Sequence, residues 1–504
     1  MDLLRRILLQ TVKSPTKLAA VDDQRSYRRL ELTAAAYHIA RAVRRQTDKP
    51  HVGIMLPTSG GFPAALMGTW LAGRAAVPLN YLLKPEELRY VAEDSGIDTL
   101  ITVDKMLELF GGGEALPPGL NLLKLDHMSF KGMPPVRWPG KLADDRLAVL
   151  LYTSGTSGKP KGVRLSHGNL RANVDALRQF VDEVGEDPSV FLGVLPQFHA
   201  FGLTALTLWP LAGGKRVVYS ARFVPRRVVE LIEEHRPDVF VAIPSMFGAL
   251  LSVKSMGAEQ MSSIRFPISG AEPLPAAVRD GIAERTGLQI LEGYGLTETS
   301  PVTNCNRPGD NKPGTVGRAI PGVRNIIVGP DNQPLPAETD GEILIAGGNV
   351  MQGYHGLPDQ TDAVLGEMTL PGESSPTRVF RTGDQGRLDA DGFLSITGRI
   401  KEMLIVGGEN VFPREIEEVL VQHPAVGAAA VIGRPDDMRG ETPAAFVELI
   451  EDPPEPFDEA IGRAWCRDRL AAYKVPRTIR VIDKLPRNPT GKVLRRDLKP
   501  MLDD

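Results

Sequence analysis

The sequence predicts an α/β protein: a large N-terminal domain of α/β subdomains with a small β subdomain, then a small α+β C-terminal domain. Three observations carry this. Short apolar runs alternate with helical patterns from Val52 to about Val328. Between residues 322 and 398 the helical patterns thin out, and Gly, Pro and Asp punctuate short strands. After Gly398 a helix and two strands open a stretch of about a hundred residues, the size of a small domain.

The first segment, "MDLLRRILLQTVKSP", alternates apolar and basic residues but has no long apolar region or small-residue cleavage site. It reads as a surface helix, and weak peripheral membrane contact through residues 1–13 stays open. "HVGIML", "TLITV", "LAVLLYT", "RVVYS", "DVFVAI" and "LQIL" read as strands of mostly parallel sheets. "NLRANVDALRQFV" and "RRVVELIEEH" read as helices, the first with Leu170, Val174, Leu177 and Val181 on one face. Val190–Gly214 carries no Lys, Arg, Asp or Glu, yet Pro196, Gln197, His199, Pro210 and four glycines interrupt it. A buried strand–loop–helix fits it better than a membrane span. "GVRNIIV", "GEILIAGG" and "FLSITG" supply the β subdomain. "FPREIEEVLVQHP" starts a helix with Pro413 near its first turn, Glu415, Glu417 and Glu418 at its positive dipole end, and Ile416, Val419 and Leu420 as its buried stripe. "AVGAAAVIG" and "AAFVELI" follow as strands.

At 504 residues the chain is too long for one core. A net charge of -3 provides no global field for nucleic acid. The two cysteines, Cys305 and Cys466, show no metal or redox spacing, which suits a reducing cytoplasmic setting.

"LLYTSGTSGKPKGVRLSHGNL" begins as a buried strand and then, between Thr153 and Gly162, offers hydroxyls, three glycines and two lysines. Backbone N–H groups, small hydroxyls and Lys charges suit phosphate. The spacing departs from the Walker pattern, since Gly155 and Gly158 are too close and Gly162 follows Lys161. Alone, the stretch is equally consistent with a flexible surface loop. Four further stretches bear on it. "EGYGLTETSP" puts an aromatic, a hydroxyl and a carboxylate after an apolar strand; "RTGDQGRLDADGFLSITGR" sets Asp384 in a glycine turn and Arg399 at a strand end. "KEMLIVGGENVFPREIEE" follows at once, and "LPRNPTGKVLRRDL" carries Lys492 after a proline–glycine turn.

In this order the five stretches resemble the signature motifs of the adenylate-forming superfamily: acyl-CoA synthetases, peptide-synthetase adenylation domains and luciferases. The resemblance spans nearly the whole chain from about residue 25. "SGAEPLP" and "LPQFHAFGLT" look like the acyl-CoA synthetase branch in particular, and "EGYGLTET" and "ENVFPREIEE" resemble its fatty-acid–CoA ligases. The resemblance implies an N-terminal adenylation domain over residues 1–398, a hinge at 399–401 falling on Lys401, and a mobile C-terminal domain over 402–504. It also implies that a carboxylic acid is joined to ATP with Mg²⁺ and passed as acyl-adenylate to a thiol, with coenzyme A as co-substrate.

The residue types suit that chemistry, since attack at the α-phosphorus concentrates negative charge and catalysis is mostly positioning and neutralisation. By the resemblance, Thr153, Ser154, Gly155, Thr156, Ser157 and Gly158 hold the β- and γ-phosphates, with Lys161 as a point charge. Thr297 bonds the α-phosphate, and Glu298 holds Mg²⁺, a hard ion that takes few carboxylates and keeps its waters. Tyr294 stacks on adenine, and Gly270, Ala271 and Glu272 line its edge. Asp384 and Arg399 take the ribose hydroxyls. Lys492 bridges the attacking carboxylate and the α-phosphate, with Thr297 and His199 as the other expected catalytic groups. His199, Phe201 and Gly295 are expected at the acyl group, and Gly407 and Gly408 beside the pantetheine arm. Taken singly, Asp384 reads as a turn residue, Tyr294 as core, Glu298 as a solvated charge and Lys492 as surface. For His199, a satisfied buried imidazole is an equal alternative to a pocket gate.

Amino-acid-activating relatives place an Asp after an aromatic in the fourth motif. Here Phe198-His199-Ala200-Phe201-Gly202 has no carboxylate, and a buried ammonium without a counter-charge is costly. An apolar acyl or aryl tail, a medium- or long-chain fatty acid in preference, is expected. An acyl carrier protein is the alternative acceptor, for which "VLRRDLKP" is either a docking patch or an ordinary solvated helix. A non-catalytic ligand-binding relative is expected to lose Glu298 or Lys492, and both are present. A luciferase-type oxygenase shares every motif.

Overall fold

The computed structural model describes residues 1–109, 116–132, 134–153, 159–370, 374–436, 438–487 and 493–502. The chain forms two compact units. Met1–Ala271, Ile282–Asn325 and Ile345–Phe380 make the first; Glu272–Gly281, Ile326–Leu344 and Arg381–Asp504 make the second. Strands Val323–Val328, Gly341–Gly347 and Thr377–Leu388 run through the division, so the expected β subdomain is shared out between the units.

The first unit is built on two largely parallel sheets. In one, Leu147–Thr153, Ala75–Pro78, His51–Ile54, Thr99–Thr102 and Asn121–Lys124 lie parallel in that spatial order. Lys161–Ser166 and Gly353–Tyr354 extend it antiparallel at the Leu147–Thr153 edge. In the other, Leu291–Gly295, Phe266–Ser269, Val239–Ala242, Val190–Gly193, Arg216–Tyr219 and Leu18–Val21 are parallel. Val302–Cys305 adds to one end antiparallel, and Ser26–Arg28 to the other. Central strands such as Val239–Ala242 are buried along their whole length, which is why they read as continuous apolar runs.

The helix His167–Glu183 starts at a reciprocal cap: the Ser166 hydroxyl accepts from Asn169 N–H at 3.1 Å, and Asn169 Oδ1 accepts from Ser166 N–H at 3.0 Å. It buries the expected stripe of Leu170, Val174, Leu177 and Val181. Val190–Gly214 is the expected strand–loop–helix, with one irregularity: Ala200–Leu203 and Trp209–Ala212 are α-helical, and Thr204–Leu208 between them is π-helical. The N-terminal helix Leu3–Lys13 buries Leu3, Leu4, Ile7 and Leu8 within the protein, so the apolar face a lipid surface would need is already covered. Among the described residues no helix is long and apolar enough to cross a membrane.

One strand departs from expectation. "LQIL" contributes only Leu291, and the strand continues through Glu292, Gly293, Tyr294 and Gly295. Ladder hydrogen bonds need no apolar side chains, and close neighbouring backbone favours glycine: a Cβ on Gly293 would lie 3.1 Å from Asn304 O.

In the second unit, Val426–Asp436 and Gly440–Leu449 form a long antiparallel pair, with Thr478–Val481 parallel to the latter. The helix Pro413–Val421 buries Ile416 and Leu420 against Val431, Val447, Cys466 and Ile479. The "VLRRDLKP" stretch forms a 3₁₀ helix, Arg495–Leu502, anchored by buried Leu498.

Candidate active site

In the first unit, the expected phosphate loop springs from two antiparallel strands whose ends, Thr153 and Lys161, face each other in register. Ser154, Gly155, Thr156, Ser157 and Gly158 lie outside the described residues. Lys161 Nζ stands 5.2 Å above the Tyr354 ring, a cation–π distance. The Tyr354 hydroxyl donates to Glu298 Oε1 at 2.9 Å. Burial, and then the Glu298 charge, push the Tyr354 phenol above its usual range, so it stays a donor at any working pH. Lys161 and Glu298 are thus joined through a residue that no motif marked. Tyr354 reaches them because Gly353–Tyr354 pairs with Val163 and Arg164 on the strand that carries Lys161. The only sequence signal was an aromatic after a glycine in "MQGYH".

Glu298 and Thr297 sit on a short 3₁₀ turn, Thr297–Thr299, after the strand Leu291–Gly295. The turn is held by Thr299 Oγ1, which accepts from Leu296 N–H at 3.1 Å and donates to Pro301 O at 2.6 Å. Gly295 is obligatory here, since a Cβ would come within 2.0 Å of Pro301 O. Gly270 and Ala271 follow the neighbouring strand Phe266–Ser269. Ala271 has φ +72, a left-handed conformation that disfavours any side chain by about 1–2 kcal/mol. Such strain clusters at ligand-binding turns. Glu272 is the next residue and belongs to the second unit.

Between these turns lies a cavity with about 600 Å³ of free space including its open mouth. Its wall includes His199, Phe201, Trp209, Ile268, Tyr294 and Thr297, and among the described residues none that lines it is an Asp, Glu, Lys or Arg. Gly270 is close-packed at this wall, since a Cβ would meet Phe201 Cε1 at 3.2 Å. His199 caps the helix Ala200–Leu203, its Nδ1 accepting from Phe201 N–H at 3.4 Å. Surrounding protein disfavours the imidazolium and lowers the His199 pKa, although the ring is solvent-accessible. The neutral tautomer with its proton on Nε2 is therefore the consistent one. Cys305, also on the wall, is an inert thiol whose pKa burial pushes up to about 12.

In the second unit, Asp384 and Arg399 face each other across an antiparallel pair, and Arg399 Nε donates to Asp384 Oδ1 at 3.0 Å. The Asp384 side chain is 5% exposed and that of Arg399 45%, so a buried acceptor stands beside an accessible donor. Gly407 and Gly408, with φ +62 and +90, form the two-residue turn between Leu404–Val406 and Glu409–Val411. Nothing lies within 4 Å of a Cβ on either glycine, so the turn, not crowding, demands them. Lys401 is exposed in the 3₁₀ segment Ile400–Glu402, and Lys492 lies outside the described residues. The "VLRRDLKP" stretch offers less positive charge than its sequence suggests. Arg495 donates to both oxygens of Glu417 and pairs with Glu402, all at 2.8 Å, and Arg496 pairs with Asp497 at 3.4 Å.

Among the described residues, one cluster has metal-ligand spacing: Asp104, Asp126 and His127. Asp104 is already paired with Lys124 at 2.9 Å, and the cluster does not contain Glu298.

Residues 9–355 match the family model of AMP-binding enzymes, and residues 415–492 match that of the AMP-binding enzyme C-terminal domain. A long-chain-fatty-acid–CoA ligase of Bacillus subtilis (strain 168) is 33% identical over 89% of this chain and 84% of its own. A feruloyl-CoA synthase of an Amycolatopsis species is 32% identical over 93% of this chain and 92% of its own. The o-succinylbenzoate coenzyme A synthetase of Bacillus subtilis, solved with ATP and magnesium ion, superposes with a TM-score of 0.85 at 30% identity, covering 98% of this chain and 99% of that one. These matches support ATP- and Mg²⁺-dependent activation of a carboxylic acid followed by thioester formation with coenzyme A. The chain belongs to the adenylate-forming family of AMP-binding enzymes, in its acyl-CoA synthetase branch.

Proposed function

We propose that the chain activates a carboxylic acid with an apolar tail, a medium- or long-chain fatty acid, as acyl-adenylate and transfers the acyl group to coenzyme A. The observation that carries this is the cavity wall, where no described residue is charged: a neutral His199 and Phe201 stand where an ammonium-bearing substrate would need a carboxylate. In this reading Thr153, Lys161 and the intervening loop bind the β- and γ-phosphates. Glu298 holds Mg²⁺, and Tyr354 fixes that carboxylate while the Lys161 ammonium stays above the Tyr354 ring. Mg²⁺ neutralises phosphate charge when bound; the chain's own donors orient the rest. Thr297 bonds the α-phosphate, Tyr294 stacks on adenine, and Gly270, Ala271 and Glu272 edge it. Asp384 and Arg399 take the ribose. His199 turns its Nε2–H to the reacting acyl carboxylate.

Residues 1–398 act as the adenylation domain, and 402–504 turn about Lys401 between the half-reactions. Lys492 serves adenylation, and Gly407 and Gly408 serve the thiol step. Coenzyme A is favoured over an acyl carrier protein because a carrier docks by charge, and Arg495 is already committed to Glu402 and Glu417.

Pyrophosphate release across a panel of carboxylic acids, with coenzyme A and holo-carrier compared as acceptors, tests this reading. Fatty acids should exceed any proteinogenic amino acid by at least about 10³ in kcat/KM, because a buried unpaired charge costs several kcal/mol. Comparable turnover of an amino acid, or transfer to the carrier alone, would overturn it.

A further inference from the structure

One stretch of the first unit carries chemistry that acid activation does not use. Residues 128–141, "MSFKGMPPVRWPGK", hold three cations and no acid. The stretch lies against the helix Arg29–Gln46. The Tyr37 hydroxyl donates to Arg137 O at 2.8 Å, His38 Nε2 donates to Gly132 O at 3.1 Å, and the His38 and Phe130 rings meet edge to face at 5.9 Å. Tyr37 and Pro134 are buried, so the stretch is anchored from within. What it leaves outside is large and apolar: Phe130 is 38% exposed, Trp138 45% and Val136 57%. Single apolar side chains on a surface are ordinary, but three within nine residues make a patch. Trp138 is also the one exposed tryptophan of four. Lys131, Arg137 and Lys141 stand exposed among these side chains. Arg41 and Arg45, three and seven residues beyond His38, are exposed on the helix face that the stretch touches. Among the described residues none of the five cations pairs with a carboxylate. The nearest acids in sequence are engaged elsewhere: Asp126 accepts from Asp104 N–H at 2.8 Å, and Asp144 pairs with Arg171 at 2.9 Å.

We propose that this patch docks the enzyme on an anionic lipid bilayer, with Trp138 and Val136 entering the headgroup region and the cations meeting lipid phosphates. An indole suits that layer because its ring is apolar and its N–H stays wet. A small apolar contact alone holds a protein only weakly, and each Lys or Arg near an anionic surface strengthens it about fivefold. A bilayer asks for no matching shape, only apolar side chains and cations on one face. A protein partner is recognised through placed hydrogen bonds as well. The stretch has a single hydroxyl or amide side chain, Ser129, and its Oγ already accepts from Lys131 N–H at 3.5 Å. The N-terminal helix has its apolar face covered, so the lipid contact falls to this stretch instead. It does not depend on which acid the enzyme activates.

The assay is sedimentation of the full-length enzyme with vesicles of phosphatidylcholine alone and of phosphatidylcholine mixed equally with phosphatidylglycerol. Binding should need the anionic lipid and fall with added salt. Lys131→Gln with Lys141→Gln should lower the partition coefficient by about 25-fold, about fivefold for each cation, and leave pyrophosphate release from a soluble acid unchanged. Anionic vesicles whose phosphatidylcholine is brominated on its acyl chains should quench the fluorescence of the wild type but not of Trp138→Phe. Trp70 and Trp209 are buried, and Trp465 lies under the Arg469 guanidinium at 3.4 Å. Should Trp138→Phe fail to fold, Val136→Ser keeps the indole and should weaken binding. Equal sedimentation with both vesicles, sedimentation with neither, or quenching that Trp138→Phe leaves unchanged overturns the inference. So does a dimer, or a complex with holo-carrier, that the lysine pair disrupts while vesicles stay unbound, since either gives the face to a protein. None of these results bears on the acyl-site reading, which is tested by pyrophosphate release.

Discussion

Arg495→Leu isolates a charge arrangement buried in the second unit. Arg495 Nη1 lies 2.8 Å from Glu402 Oε2, and Nη2 lies 2.8 Å from Glu417 Oε1. The Arg495 side chain is 25% exposed and that of Glu417 14%, and Val431 N–H donates to Glu417 Oε1 at 2.7 Å. Burial raises the Glu417 pKa, with Arg495 and the Val431 N–H only partly offsetting it. Burial alone would lower that of Arg495, but the two carboxylates outweigh it and raise it. Leucine keeps most of the packing and removes the cation, and breaking a buried pair in this way costs about 3–5 kcal/mol at neutral pH. Without Arg495 the Glu417 pKa climbs further. The folded carboxyl then keeps a proton that the unfolded one has released, so stability is fullest below the unfolded pKa and falls as pH rises towards the folded one. Each pH step across that interval changes stability by about 1.4 kcal/mol. Urea unfolding and native-state hydrogen exchange of the Val426–Asp436 strand, at pH 7.5 and 5.0, should show a deficit that shrinks in acid. Adding Glu417→Leu should recover most of the loss. A deficit equally large at both pH values, or below about 1 kcal/mol at pH 7.5, would refute the charge argument.

Glu298→Gln keeps an acceptor for Tyr354 but removes the charge; adenylation should fall sharply and the Mg²⁺ requirement rise, with unfolding free energy changed by no more than about 1 kcal/mol. An unchanged Mg²⁺ titration removes Glu298 from the metal role. Lys401→Pro fixes φ near −65° at the proposed hinge, so acyl-adenylate should still form while thiol transfer drops by orders of magnitude. Lys492→Ala should do the reverse, and equal slowing of both steps by the proline would count against a turning domain. For His199, whose pKa burial lowers, the adenylation rate should be insensitive to its titration above pH 7 and fall only as pH drops through that lowered value. That acid limb should be missing in the pH profile of His199→Asn.

Where one stretch of chain supplies its own neighbours, the sequence was readable. The stripe of Leu170, Val174, Leu177 and Val181 and the Ser166 cap lie within a few turns of each other, so periodicity and capping chemistry locate the helix. The buried parallel strands announce themselves because both faces are covered. Thr297, Glu298, Asp384 and Arg399 were legible as motif positions, and the Asp384–Arg399 contact is one register step across a hairpin. Tyr354 was not legible: its partner Glu298 is 56 residues away, and the contact depends on an edge-strand pairing that leaves no periodic trace. The turn at Gly295 depends on a backbone oxygen six residues on, a contact that no spacing of residue types announces.

The π-helical turn Thr204–Leu208 is flanked by α-helix on both sides, the form a helix takes when it holds one residue more than its hydrogen-bonding pattern needs. Ala205, inside the turn, and Trp209, just after it, both line the cavity. Removing one residue from the turn would restore the α pattern locally and leave the residues beyond it on their present face, because the wide turn absorbs the extra residue. The indole of Trp209 would keep its place on the wall, and the change would fall on Ala205 and its neighbours inside the turn. The same deletion in the regular helix on either side would turn everything beyond it by about 100°. The wall of this cavity is therefore open to local reshaping by loss of a single codon between Thr204 and Leu208, with the helical face beyond it undisturbed.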